Sequence, residues 1–158
     1  MDTPRGHTIF ISYSHKDKRW FELLKIQLGA LMAEGLFNVW SDRSIQAGDD
    51  WYTKILHGIA GARVAILLVS ADFLTSDFVR KEEIPRLLQR RLHDGLTIIP
   101  VICRPCPWKQ VPWLSAMQVR PRGGRPLSAS SVPQAETELA SIAEEVAAIV
   151  REVAVNRQ

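Results

Sequence analysis

The sequence predicts one α/β domain built on a mostly parallel sheet with helices on both faces. Three observations carry this. Short apolar runs rich in β-branched residues alternate along the chain with longer segments of helical period. Two of those runs, 64–69 and 96–102, are apolar almost throughout, as strands covered on both faces must be. The chain has 158 residues, 46% hydrophobic and 23% charged, which suits a single core that buries roughly 70% of the unfolded surface. Strand–helix alternation of this kind gives right-handed crossovers and a parallel sheet of about five strands.

Each element has its own signal. Residues 8–12, Thr-Ile-Phe-Ile-Ser, read as a buried strand ahead of the polar run Ser14-His15-Lys16-Asp17. Trp20, Leu24, Leu28 and Leu31 then form one stripe of an amphipathic helix over 17–34. Ser14 and Asp17 resemble a capping box at its start, and Gly35 stops it. Residues 37–40 alternate as a short strand suited to a sheet edge. A polar loop, 41–50, comes next, and Trp51, Ile55 and Ile59 mark a short helix capped by Asp49. Residues 64–69 are a central strand, 76–92 a helix and 96–102 a second central strand. Residues 103–130 hold five prolines and little periodicity, with one short strand expected near 117–119. Ser131-Val-Pro-Gln134 has the form of a capping box, opening a closing helix over about 132–154. The whole chain, 1–158, is therefore expected to be one domain with a core at about 7–128. The final Asn-Arg-Gln carries no obvious stop, which suits the amino-terminal piece of a longer protein.

Composition narrows the function. Twenty Lys and Arg against 17 Asp and Glu give a net charge of +3, scattered rather than gathered into the basic face that nucleic-acid binding needs. No apolar run approaches the ~18 residues of a membrane span, and the amino terminus is unlike a signal peptide. Two cysteines cannot build a disulfide scaffold, so a reducing cytoplasm is expected. No glycine-rich phosphate cradle lies after any strand, and no nucleophile elbow exists. The four histidines have no ligand spacing, so no metal is expected. Cys103-Arg-Pro-Cys106 lacks the second pair of a zinc site and the helix start of a redox site. It reads as two ordinary thiols near a pocket rim.

In open parallel sheets, ligands bind beyond the carboxyl ends of the strands. That directs attention to 12–17, 40–50, 70–76 and 103–108. Carboxylates are the informative groups nearby. On helical spacing Val79, Glu83 and Leu87 share a row, so Glu83 points with the apolar face. Glu82 lies with Arg86 and Gln89 on a solvated side. A glutamate on a partly buried face costs free energy unless it has a partner or a task. The residues alone leave both readings open, as they do for Asp42, a turn residue or a ligand contact.

Several segments together resemble one family. Phe10-Ile-Ser-Tyr-Ser14 resembles the first signature box of TIR (Toll/interleukin-1 receptor) domains. Trp40-Ser-Asp42, Ala47-Gly48-Asp49, Trp51 and Ile55 are similar to their second strand, BB loop and following helix. Residues 62–76, ending in Glu83-Ile84-Pro85, are similar to the third strand and αC helix of bacterial members. The resemblance runs from about 8 to 127. It implies a flavodoxin-like α/β fold and one of two roles, an NAD+ glycohydrolase or a non-catalytic TIR–TIR scaffold. In the enzymes the separating feature is a glutamate on αC. The Glu-Ile-Pro pattern assigns it to Glu83, whereas counting four residues from Phe78 lands on Glu82. The resemblance further implies a pocket of Phe10, Ser12, Tyr13, Ser14, Asp42, Trp51 and Ser70. NAD+ would be a substrate rather than a cofactor, the oxocarbenium-like state would be stabilised by the carboxylate, and Tyr13 or a tryptophan would stack on a ring. Ser14 stands where some members carry a basic residue, so diphosphate contacts are expected from Lys16, Arg43 or a second protomer. Activation by self-association, a fused or separate sensor, and a role in bacterial anti-phage defence complete what the resemblance implies.

Overall fold

A computed structural model describes residues 8–41, 48 and 50–156, the last four by backbone alone. Strands β1 (Thr8–Ser12), β2 (Asn38–Trp40), β3 (Val64–Val69) and β4 (Thr97–Ile102) form a sheet in the order β2-β1-β3-β4. Every pairing is parallel, with Ile9 opposite both Val39 and Val64, and Ile66 opposite Ile99. The chain reverses direction across the sheet between β1 and β3, the place where flavodoxin-like folds bind their ligands.

Helices cover both faces. On one side α1 (Lys18–Met32) and the long α5 (Val132–Asn156) pack through Phe21, Leu24, Leu28, Leu139 and Val146 onto Ile9, Ile11 and Ile66. On the other, α2 (Trp51–Gly61), the short α3 (Ala71–Leu74) and α4 (Ile84–Asp94) bury Ile55, Ile59, Phe73 and Leu87 against Phe10, Ala65 and Leu67. This division arises from the pleat, since neighbouring residues of a strand face opposite ways. Among the described residues, no helix is long and apolar enough to cross a membrane.

Four expectations need correcting. Asp17 does not complete a capping box: Ser14 Oγ accepts from the Lys16 amide, and the Asp17 side chain turns inward, fully buried. The cap of α2 is Asp50, which accepts from the Thr53 amide and hydroxyl, and those bonds lower its pKa. Asp49 lies outside the described residues. The helix expected over 76–92 is helical but not one regular α-helix: a π-helical turn at Val79–Glu83 interrupts it ahead of α4, and the separate short α3 precedes it. Finally, the fifth strand near 117–119 is reduced to a single bridge between Val101 and Arg120, so β4 is the outer strand. Ile102 donates to the Arg120 carbonyl at 2.7 Å and Arg120 to the Pro100 carbonyl at 2.8 Å. Pro121, with no amide hydrogen, cannot extend the ladder.

Gly35, at φ 73°, supplies the left-handed turn after α1. Gly58 serves a different need. A methyl group there would come within 2.6 Å of the Trp40 ring, because α2 rests directly on β2 at this point. Gly58→Ala is expected to cost about 1–3 kcal/mol by overpacking. Thermal unfolding should show it as a drop of several degrees, about 2–4 °C per kcal/mol. An unchanged unfolding temperature would mean that the ring can swing aside.

Candidate active site

At the carboxyl end of β1 the chain forms a cleft of about 410 Å³, lined by Ser12, Tyr13, Ser14, Trp51, Phe78 and Glu83 among others. Ser12 and Phe10 lie two residues apart and so face the same side of the sheet. Phe10 sits one pleat deeper, 1% exposed, with its ring stacked on Trp40 at 5.3 Å. It supports the floor and does not line the cleft. Ser12 is the last residue of the strand and reaches the cleft with its hydroxyl.

That hydroxyl donates to Glu83 Oε2 at 2.6 Å. Both groups are buried, Glu83 at 6% exposure and Ser12 at 5%. A carboxylate this far from water is costly to ionise, so a charge-assisted bond of this length offsets part of its desolvation. Two neighbouring glutamates thus have different surroundings. Glu82 accepts from the Tyr52 hydroxyl at 3.0 Å and from Arg86 Nη1 at 2.6 Å. Those bonds, the arginine's first, lower its pKa. Glu82 is a half-buried ion-pair carboxylate on the rim, while Glu83 faces the cleft.

The aromatic residues divide similarly. Tyr13 is stacked on Phe21 with centroids 4.3 Å apart and planes 8° from parallel, so one face of its ring is covered by the protein. Trp51 keeps 53% of its surface exposed and meets Phe78 edge-on at 5.0 Å and Tyr52 at 6.1 Å. This leaves Trp51 as the open aromatic surface of the rim. Asp42 and Arg43 lie outside the described residues.

Ser70 does not join the cleft. It is fully buried, accepts from the Phe73 amide as the cap of α3, and donates to Asp17 Oδ2. Around it lies a network that sequence reading missed. Arg104 Nε binds Asp17 Oδ1 at 2.6 Å, and Arg104 Nη2 binds Asp72 Oδ2 at 2.5 Å. One arginine after β4 therefore joins the turns at the ends of β1 and β3, and the two carboxylates raise its pKa further. Positions 17, 70, 72 and 104 share no motif, so only the topology reveals the group. The signal for Phe78, Ser76 and Val79 as lining residues was local: they begin the helical segment that carries Glu83.

Cys103 and Cys106 are free thiols. Burial is the main cause that pushes both upward in pKa, with the Asp17 carboxylate adding to it, so they are poor thiolates near neutral pH. No group of three or more His, Cys, Asp or Glu suited to a metal ion occurs among the described residues.

Chemically, the site holds a buried carboxylate fixed by a hydroxyl, beside an exposed indole, in an otherwise largely apolar hollow. Such a hollow can take a flat ring against the indole and set the carboxylate beside a developing positive charge.

Comparisons with known proteins agree with the architecture. A family model described as TIR domain matches residues 9–139. An uncharacterised protein of Sinorhizobium fredii is 36% identical over 121 residues, 77% of this chain and 37% of its own length. The NAD(+) hydrolase TcpA of a Theionarchaea archaeon is 28% identical over 102 residues, 64% of this chain and 30% of its own. The chain thus spans about a third of the length of these curated relatives. Two solved structures share the fold. The TIR domain of the Toll-related receptor TRR-2 from Hydra magnipapillata has a TM-score of 0.51 at 22% identity, over 70% of this chain and 80% of that one. The TIR domains of the activated Roq1 resistosome, which recognises the pathogen effector XopQ, give 0.53 at 14% identity, over 96% and 99%. A match over this much of the chain, on a parallel sheet of this order, shows that the protein belongs to the TIR domain family.

Proposed function

We propose that this TIR domain cleaves NAD+ at the bond between nicotinamide and ribose, with Glu83 as the catalytic carboxylate. The observation that carries the reading is the 2.6 Å bond from Ser12 to a glutamate 6% exposed, at the mouth of the sheet's switch point. The likeness to an NAD(+) hydrolase supports it.

The chemistry suits so spare a site. As the C–N bond breaks, its electron pair leaves with the pyridinium ring, which departs as neutral nicotinamide and needs no general acid. Positive charge develops on the ribose, as in glycoside hydrolysis. A carboxylate beside the sugar hydroxyls orients the ring and stabilises that charge, an effect worth roughly 3–4 kcal/mol. Water then adds to the anomeric carbon, giving ADP-ribose and a proton, or the adenine of the same molecule adds to it and gives a cyclic product. Trp51 stacks on the nicotinamide; Tyr13 and Ser14 complete the wall, and Asp42 retains its sequence-based assignment to the loop side. The cleft is at the small end of the range for ligand sites, so the adenosine half extends beyond it toward Lys16, Arg43 or a second protomer. Self-association, driven by a sensor fused to or partnered with the domain in cytoplasmic bacterial defence, would complete the site.

Incubating concentrated protein with NAD+ and identifying the products by mass tests this. Nicotinamide with ADP-ribose or a cyclic isomer is expected. Intact NAD+, even under crowding, would favour the non-catalytic scaffold.

A further inference from the structure

The two adjacent glutamates are separated by a backbone device. The segment starts as an ordinary helix: Ser76 Oγ accepts from the Val79 amide at 3.3 Å, and the Arg80 amide bonds the Ser76 carbonyl at 3.0 Å. One turn later the pattern widens, and the Ile84 amide reaches back five residues to the Val79 carbonyl. Wide turns of this type are rare and concentrate at functional sites. Here the sequence supplies a cause. In a continuous α-helix residue 85 would donate to the Lys81 carbonyl. Pro85 has no hydrogen to give, and its ring would strike that carbonyl. Widening the turn relieves the conflict, and α4 begins anew at Ile84 with Pro85 in its first turn, where no amide is needed.

A wide turn takes up one extra residue and rotates the succeeding residues by about 100° relative to an unbroken α-helix. Phe78 and Val79 both line the cleft, so a regular helix would set Glu82 over the first and Glu83 over the second; with one residue absorbed, Glu83 stands over Phe78 beside Ser12 and Glu82 turns to the rim. The surroundings agree. Glu83 meets Ser12, whereas Glu82 meets Tyr52 and Arg86 on the rim.

We infer that Pro85 is a positioning residue for the NAD+-cleaving reaction: it holds the π-helical turn that presents Glu83, rather than Glu82, to the cleft. This rests on the reading of Glu83 given above.

The test compares three forms: the parent, Pro85→Ala, and Pro85→Ala with Lys81 deleted. The deletion removes the residue that the wide turn absorbs, so the Ile84 amide returns to the Val79 carbonyl across four residues and Glu83 keeps its place. Pro85→Ala is expected to lower kcat at least about tenfold with KM changed less than about twofold, because the carboxylate moves while the cleft remains. The shortened form should recover to within about threefold of the parent, a rescue that general damage to the fold would not give. Parent-like kcat in Pro85→Ala, or a folded shortened form that stays slow, overturns the inference. The side-chain carboxyl 13C resonance of Glu83 tracks the same forms without turnover. It should shift in Pro85→Ala and return in the shortened form; an unmoved resonance overturns the positioning role. Absence of nicotinamide release from the parent would overturn the NAD+ reading, and with it the role for Pro85 in that reaction.

Discussion

Glu83→Gln is expected to slow NAD+ cleavage by at least about a hundredfold while leaving the protein folded. The substitution keeps shape, and an amide oxygen can still accept the Ser12 hydroxyl that lies 2.6 Å from Glu83 Oε2. The change removes the negative charge, the group that answers the positive charge growing on the ribose. Removing one preorganised electrostatic contact of this kind costs about two to three decades in rate. The variant is expected to stay folded, since the amide fills the same space and can keep the Ser12 hydrogen bond. Glu82→Gln gives the internal comparison. That carboxylate is tied to Arg86 and Tyr52 on the rim, so its loss should leave the rate within about tenfold of the parent. A Glu82→Gln variant without activity beside an active Glu83→Gln variant would reassign the carboxylate but keep the reaction.

The largest expected effect on stability comes from Arg104→Leu. Asp17 is fully buried, and the guanidinium is its charged partner at 2.6 Å, itself 36% exposed. Stripping one member from a buried pair leaves an uncompensated charge and typically costs 3–5 kcal/mol. Because the arginine is partly solvated, about 2–3 kcal/mol is the reasonable expectation here. Chemical denaturation would report it as a lower midpoint with an unchanged slope. The double variant Arg104→Leu with Asp17→Asn should recover part of the loss, because no charge is then stranded. If the single variant is as stable as the parent, the network does not tie the three strand ends together.

Much of the fold was legible because it rests on local patterns. The buried run 64–69 and the stripe of Trp20, Leu24 and Leu28 specify a strand and a helix by period alone, and their packing is the consequence. The sheet edge at 38–40 was legible for the same reason. The failures depend on long-range pairing or on proline. Residues 117–119 look like a strand, yet Pro121 limits the pairing to a single bridge. Asp17 looks like a helix cap, yet a serine 53 residues away and an arginine 87 residues away draw it inside. The structure brings Ser12 and Glu83 together in the cleft, the first expected there from its strand and the second from its motif, whereas it buries Phe10 beneath the cleft and Ser70 against Asp17. Motif membership says that residues lie near a strand end; it does not say on which pleat, or whether a hydroxyl is already engaged by a neighbour. The wide turn at Val79–Glu83 was signalled only by Pro85, and periodicity drawn as an unbroken helix hides it.

The most direct measurement is a time course of nicotinamide release from NAD+, with the parent and Glu83→Gln forms held at equal high density on a surface that brings protomers together. The parent is expected to release nicotinamide steadily, and the Glu83→Gln form to fall at least about a hundredfold below it. Equal release from the two folded forms, or none from the parent, would contradict a catalytic role for this carboxylate.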